Sequence, residues 1–211
     1  MNENTHNNGL KLLEKLLTKV CSDTISAYID ANMFMFPAGY KLDNQNTRMY
    51  LYTWYAIRQR AILSIKKLIE LSGKDKITVH SIVKLTTKPD FHLITEEEKK
   101  ALSADFETLF TSEYAKRVKE FRDAFCHNIP DRDEAMCYYK DFMYIIDDVI
   151  YILSSLYRII FDKEPTFFIE ARDIALTLAP EYWEALSKAA GTANNNQTIN
   201  IRLDQLLSGK F

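Results

Sequence analysis

An all-α fold is what this sequence predicts, and three observations predict it. Apolar residues recur at spacings of three and four along most of the chain, the helical period rather than the alternation of a strand. Only 5 Gly and 5 Pro interrupt 211 residues, and they fall between the periodic runs. Helix-start chemistry stands where a run begins: Thr95 precedes Glu98 by three residues, the spacing of a capping box, and Glu96 and Glu97 suit the positive end of a helix. No shift in composition marks a seam, so residues 1–211 are expected to form a single helical domain.

A first helix is expected from about Leu10 to Met35, with Leu12, Leu13, Leu16, Leu17, Val20 and Ile25 on one stripe and Pro37 and Gly39 ending it. From Thr47 to Leu71 the positions Leu51, Trp54, Tyr55, Ile57, Ala61, Ile65, Leu68 and Ile69 keep helical spacing; Arg58, Arg60, Lys66 and Lys67 are assigned to other faces. A short helix over Thr78 to Leu85 leads to Pro89. The run that begins after Thr95 continues through Tyr114, Val118, Phe121 and Phe125, with a kink near Thr111 and Ser112, until Asn128 and Pro130 stop it. The next helix starts around Arg132; Phe142, Ile146, Val149, Leu153, Leu156 and Ile160 make it the expected central core helix. Two further pieces, Phe167 to Leu178 and Glu181 to Ala190, flank a Pro180 placed where a first-turn proline is tolerated. The asparagine run follows, and residues 192–211 read as a tail that docks through Ile201, Leu203, Leu206 and Leu207 or stays mobile.

Composition excludes several classes of function. A formal net charge of -2 gives no general attraction to polyanions, so contact with nucleic acid has to come from a local basic patch. Three cysteines, Cys21, Cys126 and Cys137, form no CxxC pair and leave an odd thiol, the pattern of a reducing compartment. The start, MNENTHNNGL, lacks the order of a secretory signal, and the most apolar stretch, Phe142 to Phe161, carries Asp147, Asp148 and Arg158. A cytoplasmic protein with no membrane partner is the expectation.

One segment concentrates chemistry. Lys116-Arg-Val-Lys-Glu-Phe-Arg-Asp-Ala-Phe-Cys-His-Asn-Ile-Pro130 puts four cations and a histidine at one helix end. Five helical positions rotate a side chain by about 500°, so Arg122 and His127 point some 140° apart and need not meet within one subunit. A two-fold dimer would supply a second copy of each: two imidazoles as base and acid, two guanidiniums for phosphorane charge. That set suffices for cleavage of RNA at a 2′-hydroxyl without a metal. Lys116, Arg117 and Lys119 are the candidates for holding the RNA backbone.

The stretch Arg122-Asp-Ala-Phe-Cys-His127 resembles the ribonuclease motif of the HEPN superfamily: an Arg, four to six intervening residues, then His, often with a polar residue directly after the Arg. The likeness is to the abortive-infection type. An aromatic-rich helix, TWYAIRQRAILSIKKLIEL, lies upstream and YYKDFMYIIDDVIYILSSLY follows, so the resemblance covers about residues 47–161. It implies a bundle of long antiparallel helices, a homodimer with a composite site, and endoribonuclease activity in phage defence or a toxin-antitoxin system, with an antitoxin or defence protein as partner. By that likeness Arg122 and His127 are catalytic and Asp123 orients the histidine or the RNA. Asn128 lies beside the site without matching a fixed position of the motif. Related toxins often carry a Tyr two places after the His; Ile129 stands there, so regulation through that Tyr is not expected.

Structural readings compete with each of these. A cation or histidine near a helix C-terminus is favoured by the macrodipole whatever the function, and Lys116, Arg117 and Lys119 also describe a solvated face. A non-catalytic helical module that binds a partner protein or ligand is therefore the alternative. Its signature is Arg122 in a salt bridge and His127 buried away from any dimer seam. Asp131, Asp133 and Glu134 are ordinary helix-start acids, so neither a metal nor another cofactor is expected. Cys126 has nothing beside it to lower a thiol pKa, Asp147 and Asp148 are assigned to solvent, and His6, His80 and His92 lack partners at ligand spacing. The tyrosine runs, Tyr50 with Tyr52 and Tyr55, and Tyr138 with Tyr139, suit base stacking in type, but at helical spacing such residues more often serve a core or an interface.

Overall fold

The computed structural model describes residues 3–35, 47–71, 77–127 and 137–189. Among them there are seven helices and no strand: α1 (Glu3–Met35), α2 (Thr47–Leu68), α3 (Val79–Thr86), α4 (Glu96–Thr111), α5 (Glu113–His127), α6 (Tyr139–Phe161) and α7 (Phe167–Ala189). The all-α expectation holds. No helix among the described residues is long and apolar enough to cross a membrane.

Two helices share the centre. α6 buries Phe142, Ile145, Ile146, Val149, Ile152, Leu153 and Leu156 and packs against α1, α2, α4 and α5. α1 packs against α2, α3, α6 and α7, because its apolar residues occupy more than one stripe. Leu13, Leu17, Val20, Ala27, Ala31 and Phe34 are buried, whereas Leu12 is 56% exposed and falls off the expected stripe. Three polar residues of α1 are buried as well. Thr24 donates to the Val20 carbonyl at 2.8 Å, Asn32 bonds Tyr28 and Tyr139, and Asp30 accepts from Ser64 at 2.7 Å and from Arg60. Those bonds offset the cost of removing polar groups from water.

The caps explain several helix limits. Thr95 and Glu98 form the expected reciprocal box, each side chain accepting from the other's backbone N–H, at 3.2 and 2.8 Å. The kink expected near Thr111 is instead a complete break. Ser112 is extended (φ -60°, ψ 148°), its N–H donates to the Leu109 carbonyl, and its Oγ accepts from the Ala115 N–H, so one serine closes α4 and opens α5. α6 begins at Tyr139, seven residues later than expected: Tyr138 is extended, and the Asp141 carboxylate reaches back to its N–H at 2.8 Å, fixing the first turn there.

The C-terminal region also differs from expectation. α7 is one helix with Pro180 in its interior, not two pieces meeting at a first-turn proline. A proline there removes one backbone hydrogen bond, but packing keeps the halves in line. Phe168, Ala171, Ala175, Ala179 and Trp183 form one buried face, and Trp183 Nε1 donates to the Met33 carbonyl at 2.7 Å, anchoring the half beyond the proline to α1. The docking proposed for residues 192–211 falls outside the described residues.

Candidate functional site

The candidate site belongs to the C-terminal half of α5, which packs on α6 and α2. Its apolar side is Ala115, Val118 and Phe121, all buried, at the three-residue spacing that lays one face on the core. The cations between them are thereby distributed over the remaining faces.

Arg117 turns toward the start of α6. Its Nε and Nη2 donate to the two carboxylate oxygens of Asp141 at 3.1 and 2.5 Å, the bidentate geometry that a planar guanidinium favours. The Asp141 side chain has no exposed surface; with its bond from the Tyr138 N–H it joins α5 to the first turn of α6. These bonds to Asp141 hold the Arg117 pKa above its ordinary value. Cys137, buried next to this pair, has its thiol pushed well up by burial and then by Asp141, which leaves it a poor nucleophile.

Lys119 takes a different partner. Its Nζ donates to the Phe110 carbonyl at 3.2 Å and lies 3.5 Å from the Phe110 ring centroid, a cation-π contact across the α4–α5 break; burial lowers its pKa. Lys116 is exposed. Of the three cations expected to hold an RNA backbone, two are thus committed within the fold and Lys116 remains at the surface.

Arg122 is half-buried, and its Nη2 meets the Asp123 carboxylate at 2.6 Å. Its Nε is buried and makes no hydrogen bond among the described residues. A buried guanidinium N–H without an acceptor costs free energy, and because this Nε has no exposed surface an anion reaches it only after the side chain turns outward. Asp123 holds one end of the guanidinium, through Nη2. His127 is the last residue of α5, five positions on and about 7.5 Å farther along the axis. Its side chain, like Asn128, lies outside the described residues, and so do Asp131, Asp133 and Glu134.

Two residues of this region escaped the sequence reading. Arg58 of α2, expected on another face than the apolar stripe, is 6% exposed; its guanidinium carbon lies 5.4 Å from the Trp54 ring and 4.8 Å from that of Phe121, the neighbour of Arg122. Burial lowers the Arg58 pKa. The signal was present in the spacing, since Trp54, Arg58, Ala61, Ile65 and Leu68 follow one another by four, three, four and three. Asp141 was the other, and its signal was an acid three residues after the helix-start residue. Asp148, assigned to solvent, instead accepts a hydrogen bond from the Tyr114 hydroxyl and ties α5 to α6 a second time. Asp147 is exposed as expected.

The end of α5 therefore presents a half-buried guanidinium with an unused donor beside a carboxylate, one and a half turns before a histidine. Compared with protein-family models, with curated proteins and with solved structures, the chain finds no match in any of the three.

Proposed function

We propose that this chain is an endoribonuclease of HEPN type that needs no metal, acts in the cytosol as a homodimer, and serves phage defence or a toxin-antitoxin system. The observation that carries the reading is Arg122, half-buried near the end of α5 and held by Asp123 through Nη2, with an Nε that has no acceptor among the described residues. A pentavalent phosphorane is a dianionic acceptor of the kind such a donor serves.

In the proposed reaction one His127 takes the proton of a ribose 2′-hydroxyl, and the oxygen attacks the adjacent phosphorus. The bond to the 5′-oxygen breaks, and His127 of the second copy returns a proton to that leaving group. The products are a 2′,3′-cyclic phosphate and a 5′-hydroxyl. Arg122 stabilises the phosphorane charge, Asp123 orients Arg122, and Lys116 holds the RNA backbone. Arg117 acts through structure, by keeping α5 in register on α6.

A non-catalytic helical module, binding a partner protein or ligand, is the second reading, and one observation favours it. The Arg122–Asp123 contact is the salt bridge that reading expects. One experiment separates the two: incubate single-stranded RNA in EDTA with wild type and with His127→Ala. The nuclease reading expects cleavage by the wild type, cyclic phosphate ends, and loss of about 100-fold or more in the variant. Equal cutting by both proteins, or none by either, removes it.

A further inference from the structure

More large apolar side chains are exposed on α7 than on any other helix among the described residues: Ile169, Ile174, Leu176, Leu178 and Tyr182. α7 packs chiefly on α1, through the face that carries Ala171, Ala175, Ala179 and Trp183, and its far side is left open. On that side Ile174, Leu178 and Tyr182, 57%, 42% and 37% exposed, follow one another by four residues and form a strip along the helix. Ile174 and Leu178 also line an open groove of about 380 Å³ with Asp173, Thr177 and Glu181. A row of exposed apolar side chains rimmed by polar ones marks a surface that another element covers.

The rim of the strip decides which element fits. Glu170 and Glu181 are exposed and stand roughly 60–80° to one side of it. Antiparallel helices that face one another bring the same flank together, so a two-fold pairing of α7 with α7 of a second copy sets acid against acid. A helix with a cation on that flank fits instead, and the chain carries one. Ile199, Leu203, Leu206 and Leu207 recur at the spacing of a helical stripe; Arg202 stands on the flank that meets the acid rim in an antiparallel pair, and Asp204 on the other. A parallel pair reverses the two. Spacing agrees with charge: Tyr182, Leu178 and Ile174 descend α7 in steps of about 6 Å, and Ile199, Leu203 and Leu207 match those steps in the opposite direction. Segment 190–198 spans up to about 30 Å when extended, and Tyr182 lies only about 10 Å before Ala189, so the chain can turn back along α7.

We propose that residues 199–207 form a helix that lies antiparallel on the outer face of α7 of the same chain, with Ile199 against Tyr182, Leu203 against Leu178, Leu207 against Ile174 and Arg202 toward Glu181. The covered face is the one turned away from α1, so α7 becomes a middle layer between α1 and this helix. The contact is independent of RNA cleavage and is expected to persist in His127→Ala.

Hydrogen exchange of the full chain, read by mass spectrometry, tests the proposal. Amides of 199–207 are expected to exchange more slowly than those of a free peptide of the same sequence, and Leu178→Asp to speed them about tenfold or more. Leu178 is partly exposed, so this change spares the fold, and unaltered exchange of α6 in the same run checks that it does. Glu181→Lys and Arg202→Glu are each expected to speed exchange about twofold to fivefold, and the two together to restore the wild-type rate. Oxidation of the double variant Leu178→Cys, Leu203→Cys is expected to join the two positions within one chain. Exchange of 199–207 at the free-peptide rate overturns the proposal, as does protection indifferent to Leu178→Asp. A 178–203 disulfide formed only between two chains overturns it as well, and assigns the face to the tail of a second copy.

Discussion

The α5–α6 junction and the α1–α7 seam are held by opposite means. At the junction a fully buried carboxylate, Asp141, gathers two bonds from Arg117 and one from the Tyr138 N–H, and Tyr114 reaches Asp148 about two turns further along the same face of α6. At the seam small and aromatic side chains do the packing, and a directional bond from Trp183 to the Met33 carbonyl crosses it. Burial of apolar area gives stability without direction, whereas a bidentate ion pair fixes direction at high desolvation cost and small net stability. The difference places orientational control at the end of the bundle that carries Arg122. It also explains why α7 tolerates a proline in its interior.

Substitutions can break that contrast. Trp183→Ala should be the most damaging single change, destabilising by about 3–5 kcal/mol through the cavity it leaves, whereas Trp183→Phe should cost only about 1 kcal/mol for the lost N–H bond. Arg117→Met should cost about 2–3 kcal/mol, because Asp141 is left buried without its guanidinium, less than for a fully buried pair since Arg117 is 35% exposed. Adding Asp141→Leu to Arg117→Met should restore much of that loss, an outcome expected of a charged junction and not of an apolar seam. Urea unfolding measures all four; additive losses for the Arg117–Asp141 pair would make the two regions alike.

Two smaller effects sharpen the picture away from both regions. Thr95→Ala should cost about 1 kcal/mol by removing the cap of α4. On the α2 side of α1, burial pushes the Asp23 carboxyl up, but hydrogen bonds from Lys67 and Lys19 outweigh it and hold the pKa below its ordinary value. A lowered folded pKa contributes stability that is present above the unfolded value of about 3.9 and is lost as pH falls through the folded one. Asp23→Asn should therefore flatten the decline in stability below about pH 4 and change little at neutral pH.

What the sequence made legible was local. The Thr95–Glu98 box and the stripe of α6 follow from residues within a turn or two of one another. Features decided by distant partners were not legible: Arg58 is buried because Phe121 of α5 covers it, and α7 passes through Pro180 because Trp183 is fastened to α1. The site divides in the same way. Arg122 and Asp123 are sequence neighbours and their pairing is local, but the commitment of Arg117 depends on Asp141, 24 residues onward, and that of Lys119 on Phe110 across a helix break.

The role of Arg122 is the centre of the account, and single-turnover cleavage of single-stranded RNA by Arg122→Ala, beside its urea unfolding curve, tests it most directly. A guanidinium that meets the phosphorane should cost about 10²–10³ in rate when removed, with the fold intact. Undiminished cleavage by Arg122→Ala would contradict it.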